Sequence, residues 1–238
     1  MPNSLSVILM PGFMLDDALW CEMLPYFPKQ WSIYKAKINE KTSLENIDII
    51  ANDQHLVGTR HIVIGFSFGG YLARAYAQRF PDQVLALILI ASSQRVASPP
   101  KNTKQRNESF PKSQFAGLSL ATIRKSLAPT QERNDKLVEY IQAMGRRLGG
   151  ETYINQLNLD RNVAPLKNVR YPTLVIAAEY DRIRSLEESV ELVSSIPNAE
   201  LTIIPNTGHM IPLEQPATLL RCIVQWLDLK IEHQPTTF

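Results

Sequence analysis

Short apolar runs alternate with amphipathic stretches along most of the chain. Leu5–Met10 (LSVILM), Arg60–Gly65, Val84–Ala91 (VLALILIA) and Thr173–Ala178 (TLVIAA) are apolar runs of strand length, fit for strands buried on both faces. Trp31–Ile38 alternates apolar and polar positions, and Ala199–Ile204 forms a further strand-length run. Helical spacings separate them. Trp20–Phe27 reads as a short helix ended near Pro28, and Leu44–Leu56 follows the cap signal Thr42-Ser43-Leu44-Glu45. Tyr71–Phe80 is stopped by Pro81, which cannot continue a helix. Ser185–Ser195 is helical, and Gln215-Pro216 opens a last helix running through Trp226. Strand and helix in alternation, with strands this apolar, predict an α/β fold: about six mainly parallel strands with helices on both faces.

The alternation breaks at Ser92. A polar, basic, proline-bearing stretch with Pro99-Pro100 and Lys101–Asn107 is followed by helical patterns at Leu118–Leu127, at Glu132–Leu148 ending at Gly149-Gly150, and at Glu151–Leu159. The parallel pattern resumes after Tyr171-Pro172. The expected organisation is therefore a core of residues 1–92 and 169–238, with residues 93–168 inserted as a helical cap. Glu232–Phe238 reads as a frayed tail.

Composition changes this picture little. The 238 residues suit one domain with an insertion, and 45% hydrophobic with 20% charged residues is ordinary for a globular protein. A net charge of +2 points to neither nucleic acid nor a membrane surface, and no apolar run is long enough for a membrane span. The start, MPNSLSVILMPG, lacks a basic n-region and reads as a first strand, so a cytoplasmic location is expected. Cys21 and Cys222 have neither metal-like nor redox-like spacing. The charge is unevenly spread: Ser93–Asn168 holds 13 of the 25 basic residues and six of the 23 acidic ones. That excess is either a solvated face or a means of recruiting an anionic carrier protein or a carboxylated substrate.

Candidate chemistry centres on Gly65-Phe66-Ser67-Phe68-Gly69-Gly70, between the strand at 60–65 and the helix at 71–80. A serine on so sharp a strand-to-helix turn projects its hydroxyl from the strand end, towards the free N–H groups of the helix that follows. Asp181 and His209 also follow predicted strands, and in open α/β sheets ligands bind at that edge. Four histidines are present; His61 lies in a strand, His55 near a helix end and His233 in the tail, leaving His209 in a post-strand loop. The order Ser, Asp, His is the one a serine hydrolase of this architecture uses.

On these residues the chain resembles the α/β-hydrolase superfamily, in particular small serine carboxylesterases of the pimeloyl-carrier-protein methyl esterase type. The matching residues are Pro11-Gly12-Phe13 with Asp16 and Trp20, Gly65-x-Ser67-x-Gly69-Gly70, Glu179-Tyr180-Asp181, and Gly208-His209-Met210 through Glu214-Gln215-Pro216. The resemblance spans nearly the whole chain and is weakest across Ser93–Asn168. It implies a carboxylic ester substrate, with Ser67 as nucleophile, His209 as base and Asp181 as orienting acid. Glu179 is the rival acid, and Asp181 could instead be a helix cap or ion-pair residue. The amides of Phe13 and Phe68 would form the oxyanion hole. Their side chains, with Met14, Phe66 and Met210, would wall an acyl pocket or simply pack in the core. No metal or organic cofactor is implied. Thioesters, C–C bonds beside a ketone, and a receptor role with little turnover are alternatives on the same residues.

Three departures from the family pattern carry expectations. Pro11 stands where the family often has His, so that loop is expected to be held differently. Ser185 stands where a proline usually follows the acid. The first apolar run corresponds to the family's third strand, which leaves a six-stranded core.

Overall fold

The computed structural model describes residues 5–54, 56, 60–95, 112–166 and 169–231. His55, His233, Pro99-Pro100, the Lys101–Asn107 tract and the tail from 232 lie outside the described residues. Six strands form one sheet: β1 (Ser6–Met10), β2 (Ser32–Lys35), β3 (His61–Phe66), β4 (Val84–Ile90), β5 (Thr173–Ala178) and β6 (Ala199–Ile204). Their order is β2-β1-β3-β4-β5-β6, and every neighbouring pair is parallel. Parallel pairing is what the apolar runs require, because a strand buried on both faces has no polar face to offer water.

Alternate residues of each strand feed two separate cores. Val7, Leu9, Ile62, Ile64 and Ile88 pack on one face, whereas Ile8, Met10, Val63 and Leu87 pack on the other. Helices α1 (Ser43–Ala51), α2 (Phe68–Arg79) and α5 (Leu186–Ser194) cover the second face through Ile47, Ile50, Leu72, Tyr76 and Leu192. The first face is covered by α7 (Pro216–Ile231), through Leu219, Leu220, Ile223 and Trp226, and by helices inserted between β4 and β5. These are α3 (Leu120–Ser126) and α4 (Asp135–Asn158). A short α6 (Ile211–Glu214) precedes α7.

The connections differ locally from the sequence expectation. No α-helix forms at Trp20–Phe27; two 3-10 turns, Asp17–Trp20 and Leu24–Tyr26, make that link instead. Pro25 and Pro28 leave too little room for successive i→i−4 bonds. By contrast, the two helices expected on either side of Gly149-Gly150 are both present within α4: Gly149 takes the non-helical φ 77° and ψ 173° and separates them at a kink. The chain runs from β1 outward to β2, then returns past β1 to β3 and on to β6. The loops after β1 and β3 therefore diverge, and open a crevice at the C-terminal edge of the sheet.

Candidate active site

Ser67 caps α2 at the end of β3, with φ 50° and ψ −111°. That is a strained conformation for a residue with a Cβ. Three features hold it. The Ser67 amide donates to Ile90 O at 2.8 Å, Ser92 Oγ donates to Ser67 O at 3.0 Å, and the Gly70 amide donates to Ser67 O at 3.0 Å. The turn also lies hard against the end of β1: a Cβ on Gly69 would sit 2.2 Å from Met10 O and 2.5 Å from Pro11 O. Only glycine permits that approach.

His209 follows β6 and reaches back to the serine. Its Nε2 lies 2.9 Å from Ser67 Oγ, and its Nδ1 lies 2.8 Å from Asp181 Oδ2. The His209 and Asp181 side chains are 7% and 3% exposed, so water competes little for either bond. The other Asp181 oxygen, Oδ1, accepts the Ile183 and Arg184 amides, both at 2.8 Å, which fixes the carboxylate plane. Glu179, the rival acid, turns away and accepts the Asn206 amide at 2.8 Å. Ser185, at the position of the family's proline, caps α5 in a reciprocal arrangement with Glu188. His61 is buried in β3 beside Ser6 Oγ, far along the strand from the turn, and burial pushes its pKa down.

Phe68 is the first residue of α2, where an amide has no intrahelical acceptor. Phe13 lies in the loop after β1, and its ring packs against Phe68 with centroids 5.9 Å apart. Two residues that the sequence reading missed hold the loops. Gln156, 1% exposed on α4, accepts the Met14 amide through Oε1 at 2.8 Å and donates to Ile38 O through Nε2 at 2.8 Å. Met14 itself takes φ 56°. The loop after Pro11 is thus fastened by a glutamine 142 residues away. Glu214 lay within the matching residues without a role. Its carboxylate accepts the Gly208 amide at 3.1 Å and the Ala128 amide at 2.8 Å, tying the His209 loop to the segment after α3. Burial raises its pKa, and the backbone N–H groups that it accepts oppose the rise.

A cavity of about 260 Å³ opens onto Ser67 and His209. Phe13, Phe66, Phe68 and Met210 line it, with Leu118, Ile123 and Ile141 from the inserted segment. Met14 does not line it; its side chain is fully buried, and its amide is what bears on the loop. Arg146 and Arg147, on the basic stretch, are already engaged, by Glu139 and Asp16. Among the described residues there is no group of three or more His, Cys, Asp or Glu that could hold a metal, and no helix is long and apolar enough to cross a membrane.

Residues 43–216 match the alpha/beta hydrolase fold family. The chain is 21% identical over 261 residues to the monoacylglycerol lipase ABHD6 of Bos taurus, covering 93% of this chain and 75% of that one. It is 25% identical over 185 residues to the pimeloyl-[acyl-carrier protein] methyl ester esterase of Chromobacterium violaceum, covering 70% and 69% of the two chains. Among solved structures, an esterase from Thermogutta terrifontis superposes with a TM-score of 0.82 at 24% identity, covering 94% of this chain and 90% of that one.

Proposed function

The chain belongs to the alpha/beta hydrolase fold family, and from that premise we propose that it is a serine hydrolase cleaving a small carboxylic ester through an acyl-enzyme. The observation that carries this reading is the unbroken series Ser67 Oγ, His209 and Asp181, with links of 2.9 and 2.8 Å, of which Ser67 and His209 line the cavity.

A serine hydroxyl attacks an ester carbonyl only if its proton is taken as the bond forms. His209 Nε2 is within reach of that proton. Asp181 accepts from Nδ1, sets the tautomer that leaves Nε2 free as the base, and stabilises the imidazolium once formed. The tetrahedral oxygen would be received by the amides of Phe13 and Phe68, each such donor being worth ~3 kcal/mol in the transition state. His209 then returns its proton to the departing alkoxide, and the alcohol leaves. In the second half, water loses a proton to His209 and attacks the acyl carbon. Ser67 is released with its proton restored, and the carboxylic acid departs. The cavity, about 260 Å³, is at the small end for ligand sites and fits a short ester rather than a long-chain lipid.

The test is hydrolysis of short and medium p-nitrophenyl esters by the wild type and Ser67→Ala between pH 6 and 9. A loss of ~10⁴ or more in the variant is expected. Activity surviving in the folded variant would remove Ser67 as nucleophile. An absence of wild-type turnover, with no acyl-enzyme burst, would favour a ligand receptor on the same fold.

A further inference from the structure

The lining of the cavity is largely apolar, with Leu15, Leu118, Ile123, Ile141 and Met210 among its residues. Arg161 and Arg184 stand on the wall as well, and apart from His209 they are its only titratable lining residues among those described.

Arg161 is partly buried, unlike the exposed Arg133, Arg170 and Arg221, and it lacks the partner that most of the other arginines have. Its guanidinium carbon lies 5.5 Å over the ring of Phe68, the residue after Ser67. Among the described residues it has no carboxylate partner and no hydrogen-bond acceptor. By contrast, Arg79, Arg95, Arg124, Arg147 and Arg182 each pair with an acid, and the buried Arg74 donates to Ser93 O and Val163 O. Arg184 is only partly engaged. Its Nη1 is 3.3 Å from Glu188, while its Nε is buried without an acceptor. Glu188 is shared with Ser93 Oγ and the Ser185 amide. Arg74 and Arg184 also lie over the same Tyr71 ring, at 5.7 and 5.8 Å.

Three guanidinium groups thus gather around Tyr71 and Phe68, and among the described residues only Arg184 of the three is paired with a carboxylate, that of Glu188. Burying cations without counter-charge is costly, and the cost falls when an anion arrives. Burial lowers the pKa of Arg161; Tyr71 opposes the shift and Arg184 adds to it. A guanidinium with its donors unspent presents the fork that binds a carboxylate through two parallel hydrogen bonds.

We propose that Arg161, supported by Arg184, is an anion subsite beside Ser67, and that the ester cleaved there carries a free carboxylate: a monoester of a short dicarboxylic acid. This rests on the serine-hydrolase reading and adds the substrate class. Water is consumed, the alcohol leaves, and the product is the dicarboxylate.

Matched methyl esters test it: monomethyl glutarate against methyl pentanoate, with methanol release giving kcat/KM. The wild type is expected to favour the carboxylated ester by about 10- to 100-fold, the range for a charge-assisted contact. Arg161→Gln should bring that ratio close to one, and Arg161→Lys should keep part of it. Arg146→Gln, whose guanidinium is held by Glu139 on the surface, should leave the ratio unchanged. A wild-type ratio near one, or a preference that survives Arg161→Gln in a variant of unchanged melting temperature, overturns the subsite while leaving the esterase intact. If neither methyl ester nor any p-nitrophenyl ester turns over, the esterase reading fails by itself and calorimetry decides the subsite. Glutarate binding that is lost in Arg161→Gln supports it; no binding, or tighter binding of inorganic phosphate than of glutarate, overturns the assignment to a carboxylate.

Discussion

Gln156→Leu isolates the way in which a distant helix sets the loop after β1. The side chain is 1% exposed, and its two amide atoms serve two buried backbone groups, the Met14 amide and the Ile38 carbonyl, each at 2.8 Å. Leucine approximates the volume and removes both bonds. Each orphaned backbone group costs about 1–3 kcal/mol, so the variant should lose roughly 2–6 kcal/mol of stability. Met14 adds a second consequence. At φ 56° it holds a conformation that costs about 1–3 kcal/mol, and the bond to Gln156 opposes its relaxation. Release of Met14 lets the backbone of Phe13 shift, and with it the Phe13 amide on the preceding Gly12–Phe13 peptide; a donor displaced from its place of 2.7–3.1 Å around the oxyanion forfeits up to ~3 kcal/mol. The expected kcat is therefore lower by about 10- to 10³-fold, with KM changed only a few-fold. The assay is p-nitrophenyl ester turnover, at a temperature where circular dichroism shows the variant folded and with active sites counted by a phosphonate probe. Gln156→Glu separates the two effects: it keeps an acceptor for Met14 but loses the donor to Ile38, so it should destabilise while sparing more of kcat. A folded Gln156→Leu with kcat within about two-fold of wild type would refute the reasoning.

Asp181→Asn keeps an oxygen for the Ile183 and Arg184 amides, so it should fold normally, yet lose about 10⁴ in kcat because the imidazole tautomer is no longer set; steady-state kinetics at matched melting temperature checks this. Gly69→Ala places a Cβ 2.2 Å from Met10 O, and forcing β1 and α2 apart should cost about 1–3 kcal/mol or more, read as a drop of roughly 2–4 °C in Tm per kcal/mol. His61 is buried with its pKa pushed down by desolvation, so below its unfolded value of about 6.5 the unfolded chain takes a proton that the folded one refuses. Stability should consequently fall as pH drops from 7.5 to 5.5, and His61→Gln should shrink that difference in urea midpoints; an equal difference in both proteins would exclude His61 as its source.

The strands were legible because a parallel strand buried on both faces must be apolar along its whole length, as Val84–Ile90 and Thr173–Ala178 are. Ser67, Asp181 and His209 could be singled out for a related reason. Each follows a strand end, and in a parallel sheet all those ends lie along one edge. The link between β1 and β2 was misread because the apolar spacing of Trp20–Phe27 suits 3-10 turns as well as an α-helix, and the neighbouring prolines decide between them. The helix break at Gly149-Gly150 was legible for a local reason: Gly149 takes φ 77°, a backbone conformation that glycine adopts at little cost, and two helices meet there at a kink.

Local chemistry along the chain was therefore enough to specify the α/β alternation, the serine turn and the three loops that carry Ser67, Asp181 and His209. Periodicity and turn residues depend on neighbours a few positions away. Three matters were settled only by packing. Asp181 rather than Glu179 faces His209, because β5 and β6 end in register and the Asp181 loop folds back on its own carboxylate. Gln156 fastens the Met14 loop across 142 residues, a hydrogen bond that leaves no periodic trace in either segment. Arg161, one basic residue among many in the sequence, stands over Phe68 with no carboxylate partner among the described residues. Whether a charge is paired is a property of three-dimensional neighbours, and those exist only once the chain has folded.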